Sequence, residues 1–198
     1  MSSSMSEIKT VCSRCGTPFT VEVPQSVNAA ASTDLKEQVR SGELFKRSCP
    51  VCGTVNLLKF PFLYYDTDER LMLVLSEAPL AAEGLPEGYT GRRVGSVGDL
   101  VEKIRIFESG LDDLVIEMCK FVTVQELKKD VPLRFVGTDG ADGEMTFTYP
   151  ENGQMELVAV GFNVYEDCAG ILQRNPAIRE SAAGLAVVDQ AWLSRFFR

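Results

Sequence analysis

The sequence predicts a mixed α+β chain, and three observations carry that expectation. Two copies of one short pattern, Cys12-Ser13-Arg14-Cys15-Gly16 and Cys49-Pro50-Val51-Cys52-Gly53, lie among β-forming residues in the first third. An apolar seam of Leu100, Ile104, Phe107, Leu111, Leu114, Met118 and Phe121 recurs at alternating spacings of four and three, the signature of an amphipathic helix. Beyond residue 131, three β-rich stretches alternate with turn-forming dipeptides. Along the chain these give an N-terminal β module with an inserted helix over 7–77 and a linker loop over 78–95. A long amphipathic helical segment over 96–130 and a small C-terminal unit of antiparallel sheet plus helices over 131–198 complete it.

Each Cys-x-x-Cys turn can offer two thiolates to one ion, and together they offer four, the number a closed tetrahedral zinc site uses. The Gly after each second Cys suits a backbone that turns through positive φ and aims N–H groups at sulfur. The expected ligands are therefore Cys12, Cys15, Cys49 and Cys52 around one structural Zn²⁺. Spacing alone leaves a four-thiolate iron centre open beside zinc. Disulfides are disfavoured, because Met1 to Thr10 is polar and Ser-rich without an apolar secretory stretch, which points to a reducing, cytoplasmic setting. A redox dithiol is disfavoured as well, since that role uses one pair in a βαβ setting rather than two matched pairs.

Composition excludes more than it assigns. With 198 residues, 45% of them apolar, the chain can bury a core, yet no run approaches the roughly 18 apolar residues of a membrane span. Histidine is absent, which removes Ser-His-Asp and Cys-His catalysis and any His-ligated zinc. The formal charge of −8 is uneven: residues 1–60 hold seven Lys and Arg against five Asp and Glu, residues 61–198 hold 13 against 23. Such a field repels nucleic acid unless a local basic face overrides it. Cys119 and Cys168 are isolated among apolar residues and read as packing residues rather than nucleophiles.

Each element has its own local warrant. The N-terminal module reads as a zinc ribbon with an insertion: Ile8-Val11 leads into the first knuckle and Phe19-Val23 alternates as an outgoing strand. In the 33 residues between Cys15 and Cys49, Ser32 can cap a short helix with Asp34 in its first turn and Gly42 ending it. Phe45-Ser48 returns to the second knuckle. Val55-Asp66 reads as a strand paired with Leu71-Leu75 across the polar turn 66–70, with Pro61 suggesting a sheet edge. Its rings, Phe60, Phe62, Tyr64 and Tyr65, read as core, with a base-stacking platform as the sharper alternative. Residues 78–95 are broken by Pro79, Gly84, Pro86, Gly88, Gly91 and Gly95. Ser96 and Asp99 resemble a capping box, and Gly110 marks a bend or two abutting helices.

In the last third, Leu133-Gly137, Glu144-Tyr149 and Gln154-Val160 form the expected meander, with Asn152-Gly153 as a tight turn. The Asp-rich turn 139–143 lacks the ligand spacing of a calcium loop and reads as solvated. Asn163 can cap a helix through Leu172, and Asp189 a short last helix anchored by Trp192 and Phe196.

These residues carry a resemblance. The two Cys-x-x-Cys-Gly turns, Ser41-Gly42-Glu43-Leu44, Phe60-Pro61-Phe62-Leu63-Tyr64-Tyr65-Asp66 and Val101-Glu102-Lys103-Ile104-Arg105-Ile106-Phe107 together resemble the CpXC-domain family. The likeness covers about residues 8–130. Cys49-Pro50-Val51-Cys52 matches the eponymous turn in full, while Ser13 stands where Pro would in the first copy. The resemblance implies metal-binding cysteines in a bacterial or archaeal protein and brings no biochemical activity with it. Residues 131–198 lie outside it.

Three functions follow as expectations. The first is a non-catalytic structural or adaptor module that binds a protein partner. It could self-associate through Leu100, Ile104, Phe107, Leu111, Leu114 and Met118, though the simpler reading of that stripe is an amphipathic helix covering its own domain's sheet. The second is a nucleic-acid-binding ribbon using Lys9, Arg14, Lys36, Arg40, Lys46, Arg47 and Lys59, which the net charge disfavours. A variant of the first is a zinc switch that releases its ion on thiolate oxidation. An enzyme is disfavoured: the one carboxylate pair singled out, Asp112 and Asp113, is adjacent on a helix and cannot converge, so it reads as a solvated surface or a cap after Gly110.

Overall fold

The computed structural model describes residues 5–78, 84–139 and 143–197. The chain forms two compact units, Met1–Val101 and Glu102–Arg198.

In the first unit, two short hairpins carry the cysteine turns. Strand β1 (Met5–Val11) pairs antiparallel with β2 (Pro18–Pro24), ending at Val11 opposite Pro18. After β3 (Ser26–Asn28) and helix α1 (Thr33–Arg40), β4 (Lys46–Ser48) pairs with β5 (Val55–Leu57), ending at Ser48 opposite Val55. Asp34 in the first turn of α1 and Arg40 in its last complement the helix dipole. Ser32 occupies the N-cap without a side-chain hydrogen bond, and Gly42, at φ +77°, turns the chain out of the helix as expected. The two hairpins are separate two-stranded sheets, not one continuous ribbon.

Beside them β6 (Phe62–Asp66), β7 (Leu71–Leu75) and β8 (Thr90–Val94) run next to β3 in the order β8-β7-β6-β3. The hairpin β6–β7 is the expected one; β3 joins β6, and β8 joins β7, in parallel. Three expectations change here. The stretch Val55–Asp66 is two strands, interrupted at 58–61, where Pro61 has no N–H to give a ladder. β6 is flanked on both sides, so it is no edge. Five of the eighteen residues of the supposed linker are β8, with Gly91 inside the strand and Gly95 just past its end; 84–89 are turn and coil, and 79–83 lie outside the described residues. The alternating burial of β6 and β7 places Phe62, Tyr64, Leu71, Leu73 and Leu75 inside. The rings of Phe45, Phe60 and Phe62 meet at centroid distances of 5.2–6.1 Å, so these aromatics are core rather than a stacking surface.

Helix α2 (Val97–Glu108) starts in the first unit and continues into the second. Ser96 Oγ accepts the Asp99 N–H at 3.1 Å and donates to the Asp99 carboxylate at 2.6 Å, which realises the Ser half of the capping box. Gly110, at φ +68°, separates α2 from α3 (Asp113–Leu127), so the single long helix is a pair of helices. Asp112 caps α3 by accepting the Leu114 N–H at 2.9 Å. Every residue from Asp113 to Lys120 is buried, which makes α3 a central helix rather than an amphipathic cover.

The meander is present as β9 (Arg134–Asp139), β10 (Glu144–Glu151) and β11 (Gln154–Gly161), in the order β11-β10-β9. Asn152 and Gly153 both have positive φ, +50° and +78°, the tight turn that matches strand twist. Of the Asp-rich turn, 140–142 lie outside the described residues. Helix α4 (Phe162–Arg174) begins straight from β11, so its N-cap is Gly161 and not Asn163. α5 (Pro176–Glu180) follows, and α6 (Gln190–Leu193) is capped by Asp189, which accepts the Trp192 N–H at 2.7 Å. Trp192 and Leu193 are its buried anchors, while Phe196 is 37% exposed. Phe135, Met145, Phe147, Tyr149 and Val160 from the sheet pack with α3 and α4 into one core. That core takes in Leu111, Leu114 and Met118, and Leu100 and Ile104 are buried too, with Phe107 partly so. Most of the seam is thus packed within this chain.

Candidate metal centre

Both cysteine turns are built alike. In the first, Cys12 N–H donates to Thr17 O at 2.9 Å and Gly16 N–H to Cys12 O at 3.0 Å; in the second, Cys49 and Thr54, Gly53 and Cys49, do the same at 2.9 and 3.0 Å. Gly16 and Gly53 sit at φ +70° and +72°, a conformation that strains any other residue. Arg14 N–H points at Cys12 Sγ and Val51 N–H at Cys49 Sγ, each at 3.4 Å, and such donors stabilise thiolate charge.

The hairpins face their turns toward one another. Cys12 Sγ lies 3.6 Å from Cys52 Sγ, Cys15 Sγ lies 3.6 Å from Cys49 Sγ, and all four sulfurs fall within 4.8 Å. Four sulfurs each about 2.3 Å from one ion at tetrahedral angles would sit about 3.8 Å apart. The residues therefore fit one four-coordinate ion, with Cys12 and Cys49 buried and Cys15 exposed.

The electrostatics match an ion-organised site. Cys12 is lowered to about 6, first by the Cys15 N–H and then, against burial, by the Arg14 N–H. Cys15 is lowered chiefly by the Thr17 hydroxyl. The Cys52 N–H alone would lower Cys49, but burial and the Cys15 and Cys12 thiols outweigh it and push Cys49 up. Four thiols this close cannot all ionise without a cation between them.

Three supporting residues escaped the sequence reading. Thr17 Oγ1 lies 3.2 Å from Cys15 Sγ and Thr54 Oγ1 3.4 Å from Cys52 Sγ, so the repeated unit is Cys-x-x-Cys-Gly-Thr, one residue longer than the motif read. Asn56, buried on β5, reaches across: its Oδ1 accepts the Ser13 N–H at 2.8 Å, and its Nδ2 donates to Thr54 O at 2.8 Å and approaches Cys12 Sγ at 3.7 Å. It fixes one knuckle against the other. Asn56→Ala is expected to weaken metal binding roughly 10–100-fold while the cysteines remain, measured by competition with a chromophoric chelator.

The other candidates go elsewhere. Cys119 and Cys168 are buried in the second unit, and Cys119 is pushed up by its neighbour Cys168 and by burial, as suits a packing thiol. Asp112 pairs with Arg179 at 2.7 Å while Asp113 is buried against Lys103 at 2.9 Å, so the two carboxylates diverge. Asp113 belongs to a buried charge cluster that periodicity alone hid. Lys103 also meets Glu117 at 3.4 Å, and Lys120 meets Glu117 at 3.0 Å and Glu102 at 2.5 Å. Glu102 accepts the Phe135 N–H at 2.6 Å, and Gln190 Nε2 donates to Glu117 at 2.9 Å, which ties α2, α3, β9 and α6 together. No helix among the described residues is long and apolar enough to cross a membrane.

Fold and site define a mixed α+β protein whose two cysteine hairpins form a four-thiol cluster compatible with one metal ion. The family model of the CpXC protein matches residues 10–120, over half of the chain, and takes in all four cysteines. The chain belongs to the CpXC family. Searches of curated proteins and of solved structures returned no match.

Proposed function

We propose that this chain is a zinc-dependent adaptor: the ion is structural, and the hairpins it holds present a surface to a protein partner. The carrying observation is the closed ligand set. Four thiols fill a tetrahedron from the protein alone, which leaves no position for water or substrate, so the ion's work is to hold backbone in place. Thiolate softness favours zinc over magnesium or calcium. The adaptor reading draws support from apolar side chains left outside on the hairpins: Val11, Val51, Val55 and Leu57 are 58–69% exposed.

Phosphate binding is a poorer use of this unit. Lys36 pairs with Asp66, Arg40 with Glu37, Lys46 with Glu43 and Lys59 with Glu77, so four of the seven basic candidates already face carboxylates. The test joins metal analysis to affinity capture. One zinc per chain is expected, together with a captured protein that a Val51→Asp, Leu57→Asp variant of equal zinc content no longer retains. A metal-free native chain, or equal capture by both, overturns the proposal.

A further inference from the structure

The four sulfurs of the cluster are not equally reachable. Among the six cysteines of the chain, all within the described residues, Cys15 alone is exposed; Cys52 is half-buried, and the other four are buried. Cys119 and Cys168 lie inside the core of the second unit. Thiolate character and exposure together decide which cysteine an oxidant takes first. A metal ligand is held as thiolate, so Cys15 combines both properties.

The geometry also names the sulfur that would respond. Both sulfur–sulfur contacts with hydrogen-bond geometry cross from one knuckle to the other: Cys15 with Cys49 and Cys12 with Cys52, each at 3.6 Å. Within a knuckle the turn resists a further approach. Cys12 N–H is bonded to Thr17 O and Gly16 N–H to Cys12 O, and the second knuckle repeats both bonds at Cys49. Joining Cys12 to Cys15, or Cys49 to Cys52, would deform these turns. The crossing pairs instead sit on two separate sheets, which can close on one another until the sulfurs reach the bonded separation of about 2.05 Å.

We propose that Cys15 is a peroxide-reactive site and Cys49 its resolving partner, so that a disulfide between the knuckles takes over the clasping role of the ion. The Cys15 thiolate attacks one peroxide oxygen, the O–O bond breaks, and a sulfenic acid and hydroxide result. The Cys49 thiolate then displaces a second hydroxide from that sulfur, and the S–S bond forms. Two thiolates have lost two electrons, and hydrogen peroxide has been reduced to two hydroxides. Half the ligand set is gone, and the ion is released. The new bridge joins residues 34 apart, and it limits the unfolded chain at the very place where the metal held the folded one. Oxidation therefore exchanges one clasp for another, and the hairpins persist. This inference rests on the zinc reading of the cluster and adds a reactive site to it.

Peptide mapping of the full zinc-loaded chain tests it, after one equivalent of hydrogen peroxide and alkylation of the remaining thiols. A chromophoric chelator counts the zinc set free. Trypsin cuts after Arg14, so Cys12 and Cys15 fall on separate peptides, 10–14 and 15–36, while Cys49 and Cys52 share 48–59. The expected product is 15–36 joined to 48–59 through Cys49, with Cys12 and Cys52 alkylated and one zinc released per bridge. Amide-exchange protection over residues 8–57 should survive in the oxidised chain and be lost in the chelated, reduced one. A native chain without zinc overturns the metal reading and this inference together. A zinc-loaded chain overturns this inference alone if it bridges within a knuckle, keeps its zinc under peroxide, or loses hairpin protection on oxidation.

Discussion

Replacing Cys49 with Ser is expected to release the ion and unfold both cysteine hairpins, while the meander of the second unit keeps its amide-exchange protection. The size of the effect follows from what little else holds these strands. β4 and β5 have three residues each, too few for a hairpin to stand alone, and Val55 and Leu57 are exposed rather than packed. Structural zinc binds zinc-finger peptides with about 10–16 kcal/mol, and since no preformed site exists in the unfolded chain, that free energy is folding free energy. Losing one of four ligands forfeits a large part of it. Hydrogen exchange followed by mass spectrometry checks this: protection across residues 8–57 should vanish in Cys49→Ser and in the chelated wild type alike. Unaltered protection there after metal removal would show that the hairpins stand without the ion.

The second large effect is in the buried charge cluster. Lys120→Met is expected to destabilise the second unit by roughly 3–5 kcal/mol, because Glu102 and Glu117 would keep their charge in the interior without their shared cation. That corresponds to a fall in Tm of roughly 10 °C or more for a domain of this size. The pH dependence has a definite sign. Burial opposes the charge of Glu117, yet Lys120 and Lys103 outweigh it and hold its carboxyl below the ordinary range. Its contribution is complete above that range and is lost as pH falls through the lowered pKa. Burial likewise opposes the charge of Lys120, but Glu117 and Glu102 raise its pKa, so its contribution is complete below the ordinary lysine range and is lost only as pH rises through the raised value. Stability should therefore be flat through neutrality and fall at both extremes. In Lys120→Met the acid-side loss should begin at higher pH. Thermal unfolding across pH measures both, and a variant within 1 °C of wild type would mean that the cluster contributes little (approximately the noise of such a scan).

The cysteine cluster was legible because it is local chemistry written twice: each turn specifies its own geometry, and only the convergence of the two required the fold. Helix boundaries with side-chain caps were legible for the same reason, as Ser96 and Asp189 illustrate. What stayed hidden depends on partners distant in sequence. β8 was read as loop because Gly91 and Gly95 look like breakers until β7 lies alongside. Asn163 looked like a cap because nothing in the sequence says that β11 runs into α4 without a break. The periodic seam was read correctly as apolar, yet period alone does not tell a face that covers a sheet from one that meets another molecule. Glu102, Lys103, Glu117 and Lys120 drew no reading as a cluster, since charge in a sequence carries no sign of depth.

The insert between the two knuckles contains β3, which lines the outer side of β6 in a different sheet from the hairpins. Clamping Cys15 to Cys49 shortens the effective tether on β3 and favours its seating there. A chain made under metal starvation would leave the main chain of Phe62–Asp66 bare along one flank, a ready template for intermolecular stacking. Metal supply would then govern solubility as much as shape.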